Sequence, residues 1–200
     1  MAKHQACAAT GGVLLAGGLS TRFGAEKAVA KLRDGRLMDV VCARFAPLAR
    51  IAVSARPGSG AERHARACGV DVLHDDPMHP KGPLAGLAVG LAWANQHRLR
   101  FVATAPCDTP RLPLNLFPAL LDRLDKAPAA FALTPDGPNP LCAVWRVDVL
   151  PRLLARLEED HPSVRSLHAD WGSIPVHFDD AAAFANANTR EALAALEAAP

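Results

Sequence analysis

The sequence predicts an α/β fold built on a parallel sheet, and three observations carry that expectation. Short apolar runs alternate with helix-spaced segments through the first half, in the order strand, helix, strand, helix, strand. Such alternation calls for parallel strands joined by crossover helices. Half of the 200 residues are apolar, enough for one sizeable core. The first apolar run, Val13 to Ala16, breaks abruptly into Gly17-Gly18, the way a buried strand ends at a ligand-binding edge.

The loop after that strand runs to Lys27 and carries Ser20, Thr21, Arg22 and Gly24. Paired glycines let backbone N–H groups approach an anion. Arg22 adds a planar fork and Lys27 a point charge, and a polyphosphate is the ligand that suits them. The loop is not a Walker A motif, since Lys27 lies three residues past Gly24 and is followed by Ala28. Nor does it contain the G-x-G-x-x-G of dinucleotide-binding folds.

Further along, apolar residues at 37, 38, 41, 45 and 48 predict a helix ended by Pro47. Arg50–Ser54 reads as a second strand and Arg56–Gly60 as a loop. Glu62–Cys68 reads as a short helix stopped by Gly69. Val70–Leu73 is a third strand, ending at His74-Asp75-Asp76-Pro77. Ligands of parallel sheets bind beyond the carboxyl ends of the strands, which aligns the Gly17 loop, Ser54 and Asp75 along one edge. Gly82 and Pro83 open a helix reaching about His97, with small residues at 85, 86, 88 and 90 for close packing. Phe101–Ala105 is the fourth strand, followed by Pro106-Cys-Asp-Thr-Pro110. Asp108 thus sits at the ligand edge, stiffened by flanking prolines. Beside a triphosphate loop it suits Mg²⁺, which takes one or two carboxylates plus substrate phosphates. A turn or cap before the helix expected near Pro113 is the weaker reading. Cys107 reads as a small packing residue rather than a nucleophile.

The second half looks different. Ala129–Thr134 and Leu141–Trp145 read as strands joined across residues 135–140. Val149–Glu159 is an amphipathic helix, Ser163–His168 a short one and Ile174–Phe178 a strand. In the closing segment, Asn188 with Glu191 three later has the form of a capping box. Residues 1–10 are expected to be a disordered N-terminus and residues 11–200 a single domain.

Composition excludes several functions. A formal charge of +2, with both signs dispersed, gives no nucleic-acid footprint, and few aromatics with no Tyr argue against stacking platforms for single strands. Five scattered cysteines with no Cys-x-x-Cys argue against zinc or redox chemistry and for a reducing cytosol. The first ten residues are unlike a secretory signal, and no apolar run is long enough to span a bilayer.

Four strings in order resemble the molybdenum cofactor guanylyltransferase family of nucleotidyltransferases. They are the Leu15-Ala16-Gly17-Gly18 loop through Lys27, Gly82-Pro83-Leu84-Ala85-Gly86, Pro106–Pro110, and Phe184–Leu193 with its Asn186 and Asn188. The resemblance implies a Rossmann-like three-layer sandwich with one antiparallel excursion. It implies a cytoplasmic enzyme transferring GMP from GTP to the terminal phosphate of Mo-molybdopterin, with Mg²⁺ on Asp108. By it, Leu15 to Gly18, Lys27, Ser54, Asp75, Gly82, Pro83, Leu84 and Asp108 meet the nucleotide. Arg22, Lys27 and Asp108 serve catalysis, and Asn186 and Asn188 line the pterin pocket. A molybdoenzyme or its chaperone is the implied recipient of the product, with no nucleic acid and no membrane as partner. Glu26, Ser54, Asn139, Pro162 and Arg190 depart from the family pattern. A cytidylyltransferase on the same pterin and a non-catalytic binding partner in cofactor delivery are the alternatives. Leu-Ala-Gly-Gly and Gly-Pro-Leu-Ala-Gly favour guanine, and the presence of Lys27 and Asp108 favours an active enzyme.

Overall fold

The computed structural model describes residues 2–18, 26–32, 35–78, 82–159 and 162–198. Chain order is α1 (Ala2–Ala8), β1 (Thr10–Leu15), a small hairpin of β2 (Lys31–Leu32) and β3 (Gly35–Arg36), α2 (Leu37–Cys42), β4 (Arg50–Ser54) and α3 (Gly60–Ala67). Next come β5 (Asp71–Leu73), α4 (Pro83–Gln96), β6 (Phe101–Pro106), α5 (Leu116–Leu124), β7 (Ala129–Thr134) and β8 (Gly137–Arg146). The chain closes with α6 (Leu150–Glu159), α7 (Val164–Trp171), β9 (Ile174–His177) and α8 (Arg190–Ala198).

Seven strands form one sheet in the order β5-β4-β1-β6-β8-β7-β9. β5, β4, β1 and β6 pair in parallel, as the alternation of the first half requires. β8 runs antiparallel to both β6 and β7, and β9 returns parallel to β7. The antiparallel excursion is therefore the single strand β8. Its pairing with β6 stops at Ala143, so Pro138 and Pro140 lie where β8 has only β7 beside it. A proline there removes no ladder bond on the β6 side. The connection expected over 135–140 is only Pro135-Asp136, because Thr134 already pairs with Gly137.

Side chains alternate across the sheet and make two cores. Leu14 and Val53 face one side, with Met38 and Val41 of α2, Ala61 and Ala65 of α3, and Leu116, Phe117 and Leu120 of α5. Phe45 and Phe117 stack there with centroids 4.8 Å apart, which adds about 0.5–1.5 kcal/mol beyond area burial. Val13 and Ala52 face the other side, with Leu87 and Leu91 of α4, Leu153 of α6 and Leu167 and Trp171 of α7. Helices on both faces of the sheet make the three-layer sandwich.

The first ten residues are not the disordered stretch the sequence suggested. Ala2–Ala8 is alanine-rich and helical as α1, which packs on α5, with Cys7 against the core. Thr10 Oγ1 donates to the carbonyl of Ala6 at 2.7 Å and ties the helix to β1. Among the described residues, no helix is long and apolar enough to cross a membrane.

Candidate active site

Strand register brings the separated motifs to one edge. Leu15 at the end of β1 pairs with Ser54 at the end of β4 and with Pro106 at the end of β6, and Ser54 pairs with Leu73 of β5. Four carboxyl ends therefore lie level, and the residues just beyond them face the same space. Ala16 N–H donates to the Ser54 carbonyl at 2.8 Å, and Cys107 N–H to the Leu15 carbonyl at 3.1 Å. These bonds continue the ladder past the strands and fix where Gly17 and Asp108 begin.

Gly17 and Gly18 occupy open space: a Cβ built on either meets no described atom within 4 Å, and neither has a positive φ. Neither packing against the described residues nor a positive φ requires glycine at these two positions, and their bare backbone leaves room for a ligand. Gly86 differs. In the first turns of α4, a Cβ there would lie 2.9 Å from Leu15 Cδ2 and 2.9 Å from Ser54 Oγ. Its absence lets the start of α4 descend onto the ends of β1 and β4. Gly82, at φ +154, turns the chain into that helix through a region other residues rarely enter. Pro83 takes the first helical position, where a missing N–H costs nothing, and Leu84 is buried.

Lys27 forms the centre. Its Nζ donates to Asp108 Oδ2 at 2.7 Å and to the Asn188 amide oxygen at 3.0 Å. The two side chains of the ion pair are 12% and 17% exposed, sheltered enough that their attraction exceeds that of a surface pair, yet open to a ligand. The backbone around each partner is held. Ala187 N–H donates to the Asp108 carbonyl at 2.8 Å, and Thr109 Oγ1 donates to the Pro106 carbonyl at 3.0 Å. Glu26, just before Lys27, accepts from the N–H groups of Gly60 at 2.5 Å and Ala61 at 2.8 Å, the first turn of α3. A carboxylate at a helix N-terminus is a favourable charge-assisted arrangement. The departure at Glu26 thus has a structural use, anchoring the residue that carries Lys27.

The other expected residues divide. Ser54 Oγ donates to Asp75 Oδ1 at 3.4 Å. Burial raises the Asp75 pKa above the usual range, opposed by that bond and by nearby His74. Asn186 is exposed on the same strand of chain as Asn188. Arg22 lies outside the described residues, as do Ser20, Thr21 and Gly24. Asn188 is not the cap expected for the last helix. Thr189 Oγ1 accepts from Ala192 N–H at 3.1 Å and fills that role, while the Asn188 amide turns to Lys27. Asn139, another departure, donates to Thr134 Oγ1 and the Gly137 carbonyl within the β7–β8 hairpin.

Among the described residues, the edge offers charge and positioning rather than a nucleophile. Burial pushes the Cys107 thiol up to about 12, with Asp108 adding to the shift and Lys27 opposing it, so Cys107 stays a thiol at neutral pH. Ser54 Oγ meets the Asp75 carboxylate directly.

Residues 12–174 match the MobA-like NTP transferase domain. The chain belongs to that family. A molybdenum cofactor guanylyltransferase of Bordetella petrii is 35% identical over 186 residues, covering 89% of this chain and 92% of the relative. One from Cereibacter sphaeroides is 35% identical over 188 residues, covering 93% and 94%. The solved molybdopterin-guanine dinucleotide biosynthesis protein A of Archaeoglobus fulgidus superposes with TM-score 0.76 at 20% identity, covering 94% of this chain and 96% of that one. The same fold recurs, at 11% identity and TM-score 0.74, in a 4-diphosphocytidyl-2C-methyl-D-erythritol synthase of Anaerococcus prevotii, with coverage of 99% and 98%. Membership makes the chain a nucleotidyltransferase.

Proposed function

We propose that this nucleotidyltransferase acts in molybdenum cofactor biosynthesis, moving GMP from GTP onto the terminal phosphate of Mo-molybdopterin. A phosphate oxygen of the pterin attacks the α-phosphorus, the bond from that phosphorus to the α,β-bridging oxygen breaks, and pyrophosphate leaves. The attacking phosphate is ionised at neutral pH, so no protein base is required. What the protein must do is neutralise charge and align two anions. One observation carries the reading: Lys27 Nζ touches both Asp108 and Asn188, at the strand-end edge from which the bare Gly17–Gly18 backbone also leaves.

In this reading the Gly17–Gly18 backbone and Lys27 take the triphosphate, with Arg22 as a second cation. Leu15, Ala16, Ser54, Asp75 and the Gly82-Pro83-Leu84 start of α4 surround the nucleoside. A carboxylate such as Asp75 can accept from the N1 and N2 edge of guanine. Asn186 and Asn188 bind the pterin, whose mixed edge suits amides that both donate and accept. Asp108, a hard oxygen donor next to an open cradle, fits Mg²⁺ held by one carboxylate plus substrate phosphates. Bound there, Mg²⁺ supplies charge neutralisation on the phosphates. Lys27, paired with that carboxylate at 2.7 Å, holds it in place. Residues 11–200 act as one transferase unit.

Ligand binding tests the base preference. Stabilisation follows RT ln(1 + [L]/Kd), about 2.7 kcal/mol at 100 Kd. GTP with Mg²⁺ should raise the melting temperature well above an equal concentration of CTP with Mg²⁺. Equal shifts, or a larger one with CTP, would transfer the assignment to a cytidylyltransferase.

A further inference from the structure

Away from the sheet edge, α2 and α3 bring together side chains that the transferase chemistry leaves unused. Asp39 Oδ1 lies 2.7 Å from His64 Nε2, and Cys68 Sγ lies 3.7 Å from the same nitrogen. One ligand atom from each of the three falls within 4.8 Å of the others. A tetrahedral zinc site, with bonds of about 2.0–2.3 Å, has its ligand atoms about 3.3–3.8 Å apart. The imidazole–sulfur separation already matches, and the imidazole–carboxylate contact needs to open by less than about 1 Å. The sequence supplies the geometry, since His64 and Cys68 are four apart and project from one face of α3 and its C-terminal cap.

We propose that Asp39, His64 and Cys68 form a binding site for a borderline-soft divalent cation of the zinc class. An ordinary His–Asp ion pair accounts for two of the three groups and leaves the sulfur unexplained. No cysteine motif in the sequence announces the Cys68 sulfur beside this pair. The carboxylate is oriented as a metal ligand needs: Asp39 Oδ2 accepts from Arg36 N–H at 3.0 Å, which directs Oδ1 toward His64. The donor set of nitrogen, sulfur and one oxygen selects against Mg²⁺, which keeps to oxygen. This site and the one on Asp108 therefore take different metals.

Binding releases protons in a defined way. The Cys68 thiol loses its proton to solvent, and His64 binds as the neutral imidazole with its proton on Nδ1, any proton on Nε2 passing to solvent or being exchanged through solvent for one on Nδ1, so that the Nε2 lone pair meets the cation. The cation would then clamp α2 to α3. Because Glu26 is bonded to the first turn of α3 at Gly60 and Ala61, the clamp lies one helical turn from the anchor of Lys27. A structural role follows, independent of the transfer reaction itself.

The test uses the full chain, purified under reducing conditions and stripped with a chelator. Zn²⁺ titrated by calorimetry should bind once per chain, and Co²⁺ in its place should give the tetrahedral d–d spectrum with a thiolate-to-cobalt charge-transfer band. His64→Ala and Cys68→Ser should each weaken Zn²⁺ at least tenfold and Cys68→Ser should abolish the thiolate band, with far-ultraviolet dichroism unchanged. Retention of full affinity in both variants would overturn the proposal. So would a Co²⁺ complex without a thiolate band in the unsubstituted chain, or an air-formed Cys42–Cys68 disulfide in place of metal binding.

Discussion

Lys27 illustrates how much one side chain can organise. An ammonium has three donors and no acceptor, and here two of its partners come from opposite parts of the chain, Asp108 after β6 and Asn188 before α8. Asp108→Asn keeps the shape of the side chain and removes its charge. Mg²⁺-dependent turnover should fall by about 10²-fold or more while the fold, followed by circular dichroism, survives. Near-normal turnover in a folded Asp108→Asn would place the metal elsewhere. Asn186 and Asn188 separate at this scale too. Calorimetric titration of each ligand into Asn186→Ala should show acceptor affinity reduced by roughly 1–3 kcal/mol and GTP affinity spared. Asn188→Ala, touching Lys27, should change both. A GTP defect in Asn186→Ala with pterin binding intact would reverse the two roles. These residues were named from the sequence as separate strings; their meeting at one ammonium was not legible. The contact depends on the sheet carrying β1 beside β6 and on Ala187 hydrogen-bonding the Asp108 backbone.

Among elements, the last helix shows why local patterns mislead by one residue. Asn188 and Thr189 both suit an N-cap, and Glu191 three after Asn188 favours the first. Lys27 competes for the Asn188 amide and Thr189 closes the helix. Thr189→Ala should therefore cost about 1 kcal/mol of stability, measured by denaturant unfolding, whereas Asn188→Ala should cost less than that. The opposite ranking would restore the cap to Asn188. The α4 start was read more successfully, since small residues at 85, 86 and 88 announced close packing and Gly86 lies against Leu15 and Ser54. Gly86→Ala should overpack that contact by about 1–3 kcal/mol. Between α7 and the β7–β8 hairpin, His168 is stacked on Trp145 and tilted against Phe131, with centroids 4.4 Å away in each case. It lies 2.9 Å from the Pro140 carbonyl, to which Nε2–H donates. Burial lowers its pKa to about 4 from 6.5, the carbonyl bond opposing. The unfolded chain therefore binds a proton that the folded one refuses between these values, and stability present above pH 6.5 should be lost as pH falls toward 4. His168→Gln should flatten that part of the stability–pH curve. An unchanged slope would show that other groups set it.

At the scale of the whole molecule, topology does the work that no single motif can. The strand order puts Gly17–Gly18, the ends of β4 and β5 and the turn after β6 around one edge, and the Ala187–Asp108 backbone bond brings the segment before α8 to it. Alternating patterns made the parallel half legible, because each crossover helix leaves a strong apolar period between short strands. The antiparallel half was less so. Pro138 and Pro140 suggested a loop where β8 in fact runs, and only the termination of its pairing with β6 makes them tolerable. The N-terminal helix escaped for a related reason, as its polar residues hide the contacts of Cys7 with the core. The central claim is that this edge transfers a guanylyl group, and the most direct measurement is Mg²⁺-dependent pyrophosphate release with Mo-molybdopterin as acceptor, GTP and CTP being compared side by side. The account predicts release with GTP, formation of the pterin guanine dinucleotide, and little with CTP. Faster release with CTP, or none with either nucleotide from folded protein supplied with Mg²⁺ and acceptor, would contradict it.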